Sequence, residues 1–300
     1  MKNNFSIMSV HGLYPIYGAS YAGNPIDNTM IFITKKAEYL IEGLYGSKNC
    51  QVFAQNGMQV PDELQKNHDF FFSDNPQLDY ARYAIQFDEE QKKVESDYSY
   101  QLQNGGYYIG HNVNIGKDAY IEPGVVIGHN VIIGDHAVIH TGAVIKNAII
   151  GDYVLINEYA VIGANGFTMA SDERGEMLRI PSLGSVKIGN HVEIGAHDAI
   201  CRGSGGPTIL EDFVKIDTLV HIGHDCHICE NVEIITGVKV GGFCKINKHA
   251  YIGIGAVLRN RITLGENCKV GMGANVTKSF EGNITIVGNP ARVFDHRGNV

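Results

Sequence analysis

The stretch LEDFVKIDTLVHIGHDCHICENVEIITGVKVGGFCKI, residues 210–246, returns an apolar side chain at every sixth position. The series is Leu210, Ile216, Ile222, Ile228, Ile234, Val240 and Ile246, and it continues through Ile252, Leu258, Leu264 and Val270 to Val276. A helix repeats every 3.6 residues and a half-buried strand every second one, so neither holds a six-residue phase over this length. Hexapeptide repeats do, and they wind into a parallel β-helix. Three hexapeptides to a triangular coil make about 18 residues per turn, with stacked positions at roughly the 4.8 Å spacing of neighbouring strands. That arithmetic sets His224 against Gly242, and Cys226 against Cys244, on adjacent coils.

Working outward, the same beat begins at Ile109, Ile115, Ile121, Ile127, Ile133, Ile139 and Ile145, slips by one residue, and resumes at Ile150, Ile156 and Ile162. A departure follows, rich in Ser, Asp, Glu, Gly and Pro, until Ile188, Ile194 and Ile200 restore the phase. Residues 164–187 are therefore expected as a loop extruded from the coil, and long loops in compact domains tend to be functional or disordered. A smaller insertion, Gly203-Ser204-Gly205-Gly206-Pro207, precedes Leu210. The mainly β domain is expected over residues 105–288, with a short tail over 289–300.

Residues 1–104 lack the period and hold Phe70, Phe71, Phe72, Tyr80 and Tyr83. A small α/β domain is expected there. Met30 to Ile33 reads as a buried strand, Lys36 to Leu44 as a helix weakened by Gly43, and Asn75 to Phe87 as a helix with Pro76 in its first turn. The charged run Asp88 to Tyr98 reads as a linker.

Hydrophobic content of 44% and a net charge of −8 over 300 residues describe a globular, mildly acidic protein. No basic excess invites nucleic acid or an anionic membrane. Met1 to Tyr14 lacks the apolar core of a signal peptide, and no segment approaches the roughly 20 apolar residues of a membrane span. A cytoplasmic location is expected.

Cys226 and Cys229 form a C-x-x-C that could suggest metal or disulfide chemistry. The repeat frame favours packing, because Cys226, Cys244 and Cys268 each lie two residues before a repeat aliphatic. Alanine fills the same slot at 119, 137, 143, 250, 256 and 274. No metal is expected. Among thirteen histidines, His221, His224 and His227 cluster, but half-hexapeptide spacing does not converge three side chains on one ion. A zinc-binding β-helix class uses two histidines five apart, and no such pair exists here. One of the three is better suited as a general base, since imidazole accepts protons near neutrality.

Asn165-Gly166-Phe167, Arg179-Ile180-Pro181, Gly184-Ser185-Val186-Lys187-Ile188-Gly189 and His221-Ile222-Gly223-His224-Asp225 together resemble the UDP-3-O-acylglucosamine N-acyltransferases of lipid A synthesis. In the first 104 residues, Phe32, Tyr39, Asn75-Pro76 and Tyr80-Ala81-Arg82 add to the likeness. The resemblance implies a homotrimer of left-handed β-helices with active sites between subunits and an N-terminal domain that binds uridine. It implies acyl transfer from a thioester to the amine of a nucleotide-linked sugar, with His224 as base and no tightly bound cofactor. Asn165, Gly166 and Phe167 are the implied substrate contacts.

Gly242, stacked on His224 and lacking a side chain, could let its N–H reach the thioester oxyanion; it could also merely turn a corner. Phe32 and Tyr39 are base-stacking candidates or core residues. Where the family commonly has a second histidine, this chain has Arg261, which can hold an anion but cannot act as a base. The ending near Val287-Gly288-Asn289-Pro290-Ala291-Arg292-Val293, and His224-Asp225-Cys226 itself, resemble coenzyme A-using sugar acyltransferases. Lys278 and Arg292 are then candidates for the coenzyme's phosphates, or ordinary surface charges. Acyl carrier protein and coenzyme A thioesters both stay open as donors, the second with a different nucleotide 3- or 4-amino sugar for a surface polysaccharide or glycan as acceptor. So does a noncatalytic nucleotide-sugar-binding trimer.

Overall fold

The computed structural model describes residues 12–294. Most of the leader reading over Met1 to Tyr14, and the tail reading from residue 295 onward, lie outside the described residues.

In the repeat region most strands are two residues long, as at His221–Ile222, His227–Ile228, Glu233–Ile234 and Lys239–Val240. Side chains on a strand alternate, so the aliphatic goes in and its polar neighbour goes out. Coils pair in parallel, Ile222 with Val240 and Ile228 with Ile246. Among the described residues three sheets result. The first face has 8 strands, from Asn114–Ile115 to Thr263–Leu264. The second has 10, from Tyr120–Ile121 to Arg292–Val293, and the third has 10, from Gln101–Leu102 to Asn275–Val276.

From Ile127 to Val276 the inward repeat aliphatics are at most 4% exposed, and Cys226, Cys244 and Cys268 in the neighbouring slot are at 0 to 1%. The neighbouring Cys244 sulfur, and then burial, hold the Cys226 thiol well above its ordinary range, while burial pushes Cys268 up to about 11. These thiols behave as small apolar groups. Truncating an aliphatic in such a column typically costs about 2–5 kcal/mol.

Each break in the beat is absorbed by the stack. Ile133 pairs with Ile150 across the one-residue slip, Ile162 with Ile200 across the long departure, and Ile200 with Ile222 across the short one. Sheet edges at both ends are closed by antiparallel strands, Gln101–Leu102 on Tyr108–Ile109 and Arg292–Val293 on Thr285–Val287. Those pairings keep edge groups hydrogen bonded. They also bring Gln101–Leu102, expected in the N-terminal domain, into the third sheet and Arg292–Val293, expected in the tail, into the second.

Contacts divide the chain into two compact units. One runs to Asp97 and includes Gly166–Gly184 and Ser204–Gly206; the other comprises Tyr98–Asn165, Ser185–Gly203 and the chain from Pro207 onward. The extruded segment thus has structure of its own. Thr168–Ser171 and Met177–Ile180 form an antiparallel hairpin, whose Ala170 and Ile180 are buried with Leu78, Ala81 and Phe87.

The first unit holds a four-stranded parallel sheet in the order Gly18–Ala19, Thr29–Ile33, Gln51–Gln55 and Asp69–Ser73. Met30 and Phe32 face the helix Pro76–Ser96, and Ile31 and Ile33 face Ile41 and Leu44 of Lys35–Gly46. That last segment is a 3-10 helix, broken at Ala37, rather than an α-helix. The helix Pro76–Ser96, whose first-turn N–H of Leu78 is capped by Asn75, continues through most of the run expected as linker. Charge does not stop it, because the run lies on a solvent-facing side and Asp88 pairs with Lys92 one turn on, at 2.5 Å.

Candidate active site

The pairing of Ile200, Ile222, Val240, Leu258 and Val276 sets the residues two positions further on in one corner column: Arg202, His224, Gly242, Asn260 and Lys278. The next position turns the corner in the left-handed region, at φ 57 for Asp225, 60 for Phe243 and 63 for Arg261.

His224 is held from several sides. Its Nδ1 lies 2.8 Å from Asp225 Oδ2, which accepts the ring proton and assigns the basic lone pair to Nε2. The Asp225 N–H in turn donates to Thr208 Oγ1 at 2.8 Å. Thr208 is fully buried in the slot two residues before Leu210, one coil below Cys226. The Phe243 ring meets the imidazole edge-on at 5.2 Å, and Arg261 lies over Phe243 at 4.2 Å. Carboxylate, hydroxyl and ring together fix the imidazole's position.

The structure separates the two readings of Gly242. The corner is turned by Phe243, whereas Gly242 has no left-handed φ. What excludes a side chain at 242 is space, since an added Cβ would sit 2.8 Å from both Cε1 and Nε2 of His224. Among the described residues, no acceptor takes the Gly242 N–H. A backbone donor therefore stands beside the basic nitrogen, an arrangement suited to acyl transfer through a tetrahedral oxyanion.

Other expected site residues are placed with varied results. In the coil unit, Asn165 accepts from Arg202 Nε at 2.9 Å, fixing a guanidinium one coil below His224. In the first unit, Gly166 donates to Ser182 Oγ at 2.9 Å and accepts from Arg179 at 3.0 Å, while Arg179 lies 5.0 Å over the exposed Phe167 ring. Phe32 and Tyr39 lie on opposite sides of the sheet. Phe32 packs on Tyr80 at 5.1 Å on the helix side of the sheet, whereas Tyr39 belongs to the segment on the opposite side and is 73% exposed. Strand alternation turns Phe32 away from the face where Ile31 and Ile33 meet the Lys35–Gly46 segment that carries Tyr39.

Lys278 and Arg292 lie on different faces. Lys278 ends the third face, 5.4 Å from the Phe280 ring, whereas Arg292 belongs to the second and donates to its neighbour's carbonyl at 2.9 Å. Sequence reasoning passed over Asp225 as an orienting group, and Thr208, Arg202 and Asp198 altogether. Two of them had a signal, because Thr208 and Asp198 are polar residues in the slot that is elsewhere mostly Ala, Val or Cys. Asp198 is buried and accepts the N–H groups of Gly195 and Val220, and burial pushes its carboxyl up to about 7.

Comparison with known proteins agrees with this architecture. The family described as hexapeptide repeat of succinyl-transferase matches residues 244–278, and the GMPPB C-terminal domain matches residues 103–169. A UDP-3-O-acylglucosamine N-acyltransferase of Herminiimonas arsenicoxydans is 33% identical over 174 residues, covering 58% of this chain and 45% of that protein. A protein of the same name from Janthinobacterium sp. (strain Marseille) is 39% identical over 131 residues, covering 44% and 37%. The chain thus spans less than half the length of these curated relatives.

Among solved structures, a UDP-N-acetylglucosamine acyltransferase from Campylobacter jejuni aligns at a TM-score of 0.57 and 22% identity, over 65% of this chain and 74% of that one. The Bacteroides fragilis 9343 protein aligns at 0.55 and 21%, over 64% and 74%. These give the fold. No helix among the described residues is long and apolar enough to cross a membrane. The chain carries a left-handed hexapeptide-repeat β-helix, and the resemblance drawn from its motifs stands: its sequence relatives include UDP-3-O-acylglucosamine N-acyltransferases.

Proposed function

We propose that the protein is an N-acyltransferase that moves an acyl group from a thioester to the amine of a nucleotide-linked amino sugar, most like UDP-3-O-acylglucosamine. The observation that carries the reading is the corner itself, where a histidine oriented by Asp225 faces a backbone N–H that no acceptor takes among the described residues. The sugar nitrogen attacks the thioester carbonyl and His224 Nε2 takes its proton. Negative charge gathers on the carbonyl oxygen, which accepts from the Gly242 N–H. Collapse breaks the carbon–sulfur bond, and the imidazolium returns the proton to the departing thiolate. Phe243 excludes water from one side of the ring.

Arg202, fixed by Asn165, is a cation suited to the sugar nucleotide's phosphates on one side of His224. Arg261 and Lys278, on the other side, suit the donor's phosphate. The first unit would hold the uridine, with Phe167 and Arg179 as an exposed ring and cation for the substrate. The same reading makes the protein a cytoplasmic homotrimer that needs no bound cofactor, with either acyl carrier protein or coenzyme A carrying the acyl group.

The test is turnover by purified full chain offered acetyl-coenzyme A and acyl carrier thioesters against a panel of nucleotide amino sugars. Replacing His224 with Ala should lower kcat by about 10²- to 10⁴-fold with the nucleotide-sugar KM little changed. Unchanged turnover would remove His224 from the mechanism. A monomer by light scattering would sink a shared site, and binding without turnover of any pair would favour the noncatalytic trimer.

A further inference from the structure

On the first face, the position after each inward aliphatic forms a column. It reads Gly116, Gly134, Gly151, Gly189, then Glu211, Cys229 and Asn247, then Gly265. Glycine has a steric reason there, because a Cβ at any of these five glycines would run into the next coil. Three consecutive coils break that rule, and each substitutes a side chain that can coordinate a cation. The neighbouring outward position holds His227, which shares a strand face with Cys229 across the inward Ile228.

Stacking brings these groups together. His227 Nε2 lies 2.6 Å from Glu211 Oε1, and one donor atom each of Glu211, His227 and Cys229 fall within 4.8 Å of one another. The donor atoms around a tetrahedral zinc lie about 3.5 Å apart, so a small rotation of the Glu211 carboxylate closes the set. The second Glu211 oxygen accepts the Glu230 N–H at 3.0 Å, which anchors the carboxylate. Burial alone would raise the Glu211 carboxyl, but the bonds from His227 and Glu230 take it below its ordinary range and keep it anionic. The Asn247 amide donates to the Leu264 carbonyl at 2.7 Å, and its oxygen is oriented 4.0 Å from the Cys229 sulfur.

We infer that Glu211, His227 and Cys229 form a site for a divalent transition-metal ion of the zinc class. Imidazole nitrogen, thiolate sulfur and carboxylate oxygen are the donors that borderline-soft ions select over magnesium or calcium. The Cys229 proton leaves on binding, so affinity rises with pH. Burial, and then the Glu211 charge, hold the thiol up, while Lys245 and Lys248 oppose them. Lys248 is paired with Glu230 at 2.8 Å, and Lys245 stands in register with His227. Glu211 also lines an open groove with Lys187, Asp212 and Glu230, from which a water or small anion could fill the fourth position. The ion would tie two adjacent coils together, apart from the His224 corner. No C-x-x-C logic predicts it, because Cys226 belongs to the inward core cluster whereas Cys229, though buried, lies outside it.

The test is cobalt titration of chelator-stripped full-length protein. Expected is a thiolate-to-cobalt charge-transfer band that saturates at one ion per chain and disappears on adding zinc. The C229S variant should lack the band, and E211Q and H227Q should bind at least about tenfold more weakly while keeping the parent circular dichroism. The inference is overturned by the absence of a band, by its persistence in C229S, or by E211Q and H227Q binding as tightly as the parent. Because C50S leaves the site intact, it should retain the band, and its loss there would equally overturn the assignment.

Discussion

Two corners of the coil stack share a backbone turn and differ in what receives the outward N–H. Along the corner that follows the first face, four successive N–H groups are each taken by a side chain one coil on: Lys117 by Asp135, Asp135 by Asp152, Asp152 by Asn190, and Asn190 by Asp212, at 2.7 to 2.9 Å. The corner that follows the third face begins the same way, with the His111 N–H on His129 Nδ1 at 2.7 Å. Its His129 N–H already lacks such an acceptor among the described residues, and beside His224 the Gly242 N–H lacks one too. A saturated corner is a structural seam. An open donor next to an oriented base is a place where a ligand's oxygen can complete the hydrogen bonding.

The contrast is broken most directly at Gly242. Changing Gly242 to Ala should displace the imidazole and block the donor, lowering kcat by about 10²- to 10³-fold in a protein whose melting temperature stays near that of the parent. Activity at the parental level would show that the open N–H is incidental. Next in size, Asp225 to Asn should cost about 10- to 100-fold in kcat and shift the pH profile of kcat/KM, since the Nδ1 partner loses its charge. A loss with no change in the profile would make Asp225 a packing residue.

Buried Asp198 provides a pH test within the stack. Its folded pKa of about 7 exceeds the roughly 3.9 of an unfolded Asp, so the folded state holds the proton more tightly. Its contribution to stability is complete below about pH 4 and declines as pH rises through 7. The melting temperature should therefore fall over that window, and Asp198 to Asn should flatten the slope whatever it does to the absolute value. An unchanged slope in the variant would remove Asp198 as its source. The smallest effect belongs to the saturated corner. Asp135 to Ala should cost about 1 kcal/mol in denaturant unfolding and leave turnover untouched, whereas a drop in kcat would erase the distinction between the corners.

Much of the coil was legible because its period is a direct record of which side chains face inward. Pairing of Ile133 with Ile150, and of His221 with Lys239, follows from counting. The His224 and Gly242 juxtaposition follows from the same count. Less legible was everything that depends on a side chain's direction. Phe32 and Tyr39 are close in sequence yet lie on opposite sides of a sheet, and Lys278 and Arg292 end on different faces. The run from Asp88 reads as a linker by charge but continues a helix.

The sequence by itself determined the repeat, the inward column, the small-residue slot and the stacking partners, since a solenoid's contacts are local to neighbouring coils. Only the tertiary structure decided that Gly242 is glycine for the sake of the imidazole, that Asp225 and Thr208 hold that imidazole, and that Glu211, His227 and Cys229 meet. Those facts turn on ångström-scale approach between side chains of different coils, and the identity of a residue does not encode where its atoms end.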